Sequence, residues 1–198
     1  MKQTLCLSLL LSFILLLLTG CSVKTIENSA MISTGESQID SSLEKTEFRT
    51  ISVSNVDEFL TALNSNTVIE LEDGAYFLNK AQSYGLDSDN PANYWENTDD
   101  GLQLVLNHLH DLTIRGSERE LTSLMADSRY ANILTLEGCK RIFLEKITLG
   151  HTTAGEMCTG GVADLDNCQN VSFQNVGFFG SGIRGLYIQD SKGIHIKS

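Results

Sequence analysis

The sequence predicts an all-β fold, a right-handed parallel β-helix (solenoid) with a short N-terminal capping helix, on the basis of three observations. A pattern of four apolar residues recurs through the second half of the chain with constant internal spacing. The runs between polar pairs are short, and they are rich in β-branched or aromatic side chains, as strands are. One amphipathic segment precedes these runs and is long enough for a single short helix.

The repeat becomes visible when the sequence is aligned with itself. Sequence repeats of about 20 to 30 residues are typical of solenoid coils. Equivalent side chains of such coils stack about 4.8 Å apart in parallel sheets. The copies share internal spacings of three, three and two residues: Leu106, Leu109, Leu112 and Ile114; Leu136, Cys139, Ile142 and Leu144; Leu165, Cys168, Val171 and Phe173; Ile188, Ser191, Ile194 and Ile196.

The N-terminal residues predict export and lipid anchoring. An apolar run at residues 5–18 follows Lys2, and it is shorter than the roughly 20 residues that a transmembrane helix needs. This arrangement is typical of a signal peptide, predicted here for residues 1–20. The tetrad LTGC at residues 18–21 resembles the bacterial lipobox. That resemblance implies a lipid on Cys21 and a place in the cell envelope, anchored to a membrane at the outer membrane or the cell surface.

Three further segments follow the signal peptide. Residues 21–50 are rich in Ser, Thr, Glu and Lys without apolar periodicity, which predicts a flexible tether. Residues 51–66 contain an N-cap at Ser54 or Asn55 and acidic first-turn residues, which predicts the capping helix. Residues 67–198 form the predicted coils. Because no polar terminal coil follows the last copy, we expect the natural protein to continue beyond it.

Charge and cysteine content exclude two classes of protein. The formal net charge of -11 argues against nucleic-acid binding, which needs clustered Lys and Arg. Apart from Cys6 and Cys21, the sequence has only three cysteines, too few for a disulfide-built scaffold. Cys139 and Cys168 occupy the same repeat position, and their side chains should point the same way. We therefore predict stacked, buried free thiols at these two positions.

The repeat and two glycine-containing segments carry a resemblance to a known family. With GHT at residues 150–152 and CTGGV at residues 158–162, residues 67–198 resemble bacterial right-handed parallel β-helix repeat lipoproteins of the pectate-lyase-like superfamily. The resemblance implies an exported protein that acts on carbohydrate or binds it, but no particular activity. The lyase segment Arg-x-Pro-x-x-Arg has no match around Pro91, the sole proline, and the polygalacturonase-like NTDD at residues 97–100 stands apart from the repeat.

The loop at residues 79–101 holds the candidate substrate-binding residues. It contains Tyr94, Trp95, Asp99 and Asp100. Aromatic faces beside carboxylates are common in sugar binding, because one stacks on the ring and the other accepts hydrogen bonds from hydroxyl groups. The alternative is that the two aromatic residues fold back over the side of the first coils.

Three residues are candidates for catalysis, although the sequence identifies no complete catalytic set. His151, Asp164 and Arg184 would offer a base, an acid and a cation, with Glu156 and Cys158 nearby. The alternative is that these side chains cap turns, pack under a loop or pair on the surface.

The sequence predicts no metal site and no cofactor, with one exception that it leaves open. The segment DSDN at residues 87–90 offers oxygen atoms to calcium, but it lacks the Gly and the distal Glu of an EF-hand loop. Calcium is therefore the one cofactor that the sequence leaves open.

These features predict an exported, membrane-anchored lipoprotein that binds carbohydrate or acts as a surface scaffold, without catalysis in these residues. The alternative is a polysaccharide lyase or glycoside hydrolase that acts on acidic polysaccharide, with an active site partly outside this chain. The predicted partners are a membrane, through lipidated Cys21, and polysaccharide. Protein partners and nucleic acid are not indicated.

Overall fold

The computed structural model describes residues 47–86, 90–152, 159–180 and 182–198. These residues belong to one compact unit, Glu44–Ser198. The predicted signal peptide, most of the predicted tether and the lipidation site at Cys21 lie outside the described residues.

Within the described ranges the chain forms short strands and one α-helix. Most of these strands are joined to the next one by a short connecting segment. The elements are β1 (Arg49–Val53), α1 (Val56–Ala62), β2 (Thr67–Leu71), β3 (Gly74–Phe77), β4 (Asn93–Thr98), β5 (Gly101–Asn107), β6 (His110–Arg115), β7 (Thr122–Ala126), β8 (Leu134–Glu137), β9 (Lys140–Glu145), β10 (Thr148–His151), β11 (Ala163–Asp166), β12 (Gln169–Gln174), β13 (Gly177–Phe179), β14 (Leu186–Gln189) and β15 (His195–Lys197).

The described strands form three sheets. The six-stranded sheet has the order β1-β2-β6-β9-β12-β15, and the four-stranded sheet has the order β3-β7-β10-β13, both with parallel neighbours. The five-stranded sheet has the order β4-β5-β8-β11-β14 and is mixed, because β4 pairs antiparallel with β5.

These sheets correct the fold class expected from the repeat. The expectation was an all-β, right-handed parallel β-helix that begins after a capping helix. The described chain is instead a multi-sheet arrangement with one α-helix, in which one sheet is mixed and α1 connects two paired strands, β1 and β2. The reason is that a sequence repeat reports which side chains stack on each other, but it carries no signal for β1 or for the antiparallel strand β4, which both lie outside it.

The stacking of the repeat positions themselves is confirmed. Leu106 pairs in register with Leu136, and Leu136 pairs with Leu165. All three side chains are fully buried. In the fourth copy, Ile188 lies on β14, the last strand of the sheet. It pairs with Leu165 but keeps 43% of its surface exposed. Burial in the core therefore follows the repeat until its final copy.

The polar pairs between the apolar positions adopt left-handed backbone conformations. Such conformations cost a residue with a side chain roughly 1 kcal/mol, and Gly, Asn and Asp tolerate them best. His108 and Arg141 are exceptions, and the Arg141 guanidinium is held by the carboxylate of Asp111 at 2.5 Å. The left-handed residues that connect the five-stranded and six-stranded sheets are His108, Gly138, Asn167 and Asp190, followed by Asp111, Arg141, Asn170 and Gly193.

Cys139 and Cys168 are free and buried, as predicted from their equivalent repeat positions. Each thiol donates to a main-chain carbonyl in the preceding copy of the repeat, Cys139 to Leu106 and Cys168 to Leu136, both at 3.3 Å. The hydrogen bond with Cys168 and burial raise the pKa of the Cys139 thiol. Both residues therefore act as small core side chains with satisfied donors.

Candidate functional site

A recess opens where the chain passes from the four-stranded sheet to the five-stranded sheet. Three connecting segments come together there, at residues 127–133, 159–162 and 182–185, and the first residues of β11 and β14 form one side. The recess has a volume of about 200 Å³. Its lining consists of Tyr130, Asn132, Thr159, Gly160, Gly161, Asp164, Ile183, Arg184 and Tyr187.

Two glycines make the floor of the recess. The N–H of Gly160 donates to the carbonyl of Arg129 at 2.7 Å, and the N–H of Gly161 donates to Oδ1 of Asn132 at 3.1 Å. A Cβ atom on Gly160 would overlap the carbonyl oxygen of Ala131, and one on Gly161 would lie 2.6 Å from Oδ1 of Asn132. Only glycine permits this approach of two backbone segments, which explains the Gly-Gly pair.

Asp164 is the acidic group of the recess. It lies on β11 at a half-buried position, on the same face as Asp166 two residues later. Desolvation by burial and the nearby Asp166 carboxylate raise the pKa of Asp164, whereas Arg184 and a hydrogen bond from Asn132 act in the opposite direction. The net effect is a raised pKa, so Asp164 keeps its proton to a higher pH than an exposed aspartic acid does, and this is the direction that a general acid needs.

A cation and two aromatic rings surround this acid. The Arg184 guanidinium lies over the Tyr187 ring, 4.2 Å from its centroid. Tyr187 and Tyr130 keep 37% and 41% of their surfaces exposed. A guanidinium can bind a carboxylate through two hydrogen bonds, and exposed tyrosine rings can stack on sugar rings. The recess therefore has the groups needed to hold an acidic sugar next to a proton donor.

The structure brings together two of the three predicted catalytic candidates. Asp164 and Arg184 both line the recess. His151 does not reach it, because its side chain is buried behind the floor with Nε2 3.0 Å from the carbonyl oxygen of Gly161. Glu156 and Cys158 lie outside the described residues.

The four predicted substrate-binding residues share the β4–β5 hairpin but do not form one site. The Tyr94 hydroxyl donates to Oε2 of Glu137 at 2.9 Å, and burial together with this bond raises the pKa of Tyr94 to about 12. Trp95 packs edge-on against Tyr84, with ring centroids 5.0 Å apart, and contributes to the core. Asp99 is exposed in the hairpin turn.

Asp100 supports the recess from outside. Its carboxylate accepts hydrogen bonds from the backbone N–H groups of Arg129 and Tyr130 at 2.6 and 3.0 Å, so it holds the segment that carries Tyr130.

A second and larger cavity, of about 450 Å³, lies between α1 and β4. It is lined in part by Tyr94, Trp95 and Asp57.

Sequence reasoning missed Tyr130, Asn132, Gly161 and Tyr187. A signal existed for three of them. Asn132 and Gly161 differ by 29 residues, the offset that relates Leu136 to Leu165, and Tyr187 follows Asp164 by 23 residues, the offset that relates Leu165 to Ile188. Extending the repeat outwards from these apolar positions would have placed all three. No comparable signal marked Tyr130, which lies in the segment that connects β7 to β8.

Metal ligands and membrane-spanning helices were also sought in the described ranges. No group of three or more His, Cys, Asp or Glu side chains there could hold a metal ion. Asp87 and Asp89 of the calcium candidate are outside those ranges. No described helix is long and apolar enough to cross a membrane.

Comparisons with known proteins place the chain in no family. No protein-family model matches it, and no curated protein matches it significantly. One solved structure, described as a "putative glycosyl hydrolase" from Parabacteroides merdae, superposes with a TM-score of 0.43 and 13% identity over 78% of this chain and 82% of that chain. This similarity is too low to carry an argument. The class of protein is therefore defined by the recess: a multi-sheet protein with an acid, a guanidinium and two tyrosines around one opening.

Proposed function

We propose that this protein is a glycoside hydrolase that acts on acidic polysaccharide. The observation that carries the proposal is the position of Asp164, whose pKa burial raises, next to Arg184 in one recess. In this proposal Asp164 protonates the glycosidic oxygen, Arg184 binds a carboxylate of the substrate, and Tyr130 and Tyr187 contact sugar rings.

In this proposal the second carboxylate of the hydrolase is that of Asp166, which shares the face of β11 with Asp164 but is not among the side chains that line the recess. Residues two positions apart on a strand stand roughly 7 Å apart on the same face. Inverting glycosidases separate their two carboxyl groups by about 6.5 to 9.5 Å, which leaves room for a water molecule. Water then attacks the anomeric carbon and loses its proton to Asp166, while the leaving oxygen takes the proton of Asp164 as its bond to carbon breaks. The anomeric configuration is inverted.

The position of His151 favours hydrolysis over elimination in this proposal. A polysaccharide lyase needs a base that removes a proton from the sugar ring. His151, the predicted base, is buried behind the floor of the recess. The proposed products are therefore saturated sugars with new reducing ends.

Substrate charge provides the test. Full-length protein in detergent is assayed for reducing-end release from a uronate-containing polysaccharide and from its neutral, carboxyl-reduced form. We expect Arg184→Gln to raise KM for the acidic substrate by about 10- to 100-fold, because a charge-assisted hydrogen bond is lost, and to leave the neutral substrate unaffected. Arg119→Gln, on an exposed arginine paired with Glu120, is the matched control. Equal effects on both substrates would contradict the role of Arg184.

A carbohydrate-binding protein without catalysis is the second candidate, and the two exposed tyrosines on the rim of the recess favour it. Stacking on aromatic rings requires no proton donor. Affinity for the acidic polysaccharide with no release of sugar by the full-length protein would support this candidate and would reject the hydrolase.

We further propose that Cys21 carries a lipid that holds the protein to a membrane of the cell envelope, supported by the tetrad at residues 18–21. Cys21→Ser should release the protein into the soluble fraction, because an acyl anchor contributes about 0.8 kcal/mol for each buried methylene group. Cys6→Ser within the signal peptide is the control and should leave the protein on membranes. A Cys21→Ser protein that stays membrane-bound after high-salt washing would reject lipid anchoring.

A further inference from the structure

His151 lies at the C-terminal end of β10, beneath the floor of the recess, with 3% of its surface exposed. Its Nε2 is 3.0 Å from the carbonyl oxygen of Gly161, and its Nδ1 is buried and has no hydrogen-bond partner in the described part of the chain. A carbonyl oxygen only accepts, so Nε2 carries the hydrogen and donates.

Gly161 connects this histidine to the recess. Its carbonyl accepts from His151, while its N–H donates to Oδ1 of Asn132 at 3.1 Å. Because Gly161 has no side chain, the Asn132 amide lies directly against its backbone. The two hydrogen bonds engage both polar groups of the Gly161 backbone, so the position of Gly161 determines where Oδ1 of Asn132 is held.

Asn132 in turn contacts the acid. With Oδ1 held by Gly161, the amide nitrogen donates to Oγ1 of Thr135 at 3.3 Å. Thr135 pairs in register with Asp164 on the neighbouring strand, and Asn132 and Asp164 both line the recess, so this NH₂ group lies beside the Asp164 carboxyl group. An amide that is fixed at its oxygen cannot flip and present that oxygen to the carboxylate. The path from His151 through Gly161 and Asn132 thus ends at Asp164.

We propose that His151 is a positioning residue for Asp164: by holding the Gly161 backbone it fixes the Asn132 amide, which directs its NH₂ group at the Asp164 carboxyl group. This inference rests on the proposed function only in treating Asp164 as the reacting acid, since the contacts themselves are independent of any reaction. His151 touches no substrate in this arrangement.

The titration of Asp164 reports this role directly. The Asn132 donor stabilises the ionised carboxylate and so lowers the pKa of Asp164, against desolvation and the Asp166 and Glu137 carboxylates, which raise it, and alongside Arg184, which lowers it. Loss of the correctly directed amide removes one lowering contribution and leaves the others in place. The pKa of Asp164 should therefore rise.

The experiment is a carbon-13 NMR titration of aspartate carboxyl groups in the full chain, with the Asp164 signal assigned by Asp164→Asn. We expect His151→Asn, whose amide cannot reach the place of Nε2, to raise the pKa of Asp164 by about 0.4 to 1, the equivalent of one hydrogen bond. His151→Gln, whose amide nitrogen can take the place of Nε2, should keep the wild-type value. His195→Asn, on an exposed histidine, is the matched control.

Asn132→Leu, which removes the donor itself, should raise the pKa as much as His151→Asn, and the two changes combined should add nothing further. The proposal is overturned if His151→Asn and His151→Gln titrate alike, or if Asn132→Leu shifts Asp164 and His151→Asn does not. Absence of sugar release by wild-type protein would reject the hydrolase and not the positioning role, which the titration decides by itself.

Discussion

Asp164→Asn should lower kcat/KM for hydrolysis of the acidic polysaccharide by about 10²- to 10⁴-fold, the usual contribution of a general acid. The amide has nearly the same shape as the carboxyl group, but it cannot give a proton to the leaving oxygen. The measurement is the initial rate of reducing-end release. Asp99→Asn, in the exposed hairpin turn, is the control and should retain full activity. A fully active Asp164→Asn protein would reject Asp164 as the acid.

The pH dependence of this variant separates a catalytic loss from a folding defect. Because the folded-state pKa of Asp164 is raised, its contribution to stability is fully present below the unfolded-state pKa, near 3.9, and is lost as the pH rises through the folded-state value. At pH 7 the ionised carboxylate is therefore a cost to the folded protein. Asp164→Asn should raise Tm at pH 7 while activity falls, an outcome that misfolding cannot produce.

Leu136→Ala should lower the free energy of unfolding by about 2 to 5 kcal/mol, because it removes a fully buried side chain and leaves a cavity. Leu136 lies between Leu106 and Leu165 in the five-stranded sheet, so neighbours on both sides lose contacts. Urea unfolding monitored by circular dichroism measures the loss as a lower midpoint at constant slope.

Leu121→Ala is the matched control for this prediction, since Leu121 keeps 51% of its surface exposed. Its effect should stay within about 0.5 kcal/mol. Equal destabilisation by the two substitutions would show that the repeat positions do not carry the core.

The repeat in the sequence is sufficient to predict which side chains stack on each other in neighbouring strands. Leu106, Leu136 and Leu165 recur with one spacing because each must meet its counterpart on the neighbouring strand, and the pairing follows that spacing. The same reasoning predicted that Cys139 and Cys168 would be buried free thiols. Such positions are readable because a constant core imposes a constant interval on the chain.

The fold class and the site were decided by tertiary structure. The sequence could not show that β4 pairs antiparallel with β5, since β4 precedes the first repeat copy and leaves the spacing of the copies intact. Nor could it show that Tyr130 flanks the same recess as Tyr187 of β14, because Tyr130 lies in a connecting segment, and connecting segments follow no period.

His151 shows the same limit most clearly. Its sequence position near Asp164 suggested a base in a shared site. In the structure its side chain is buried beneath the floor of the recess, where it contacts the Gly161 carbonyl. Proximity along a chain does not determine on which side of a backbone segment a side chain lies. That depends on the close packing of the Gly160–Gly161 backbone against residues 129–132, a contact between segments about 30 residues apart that exists only once the sheets have formed.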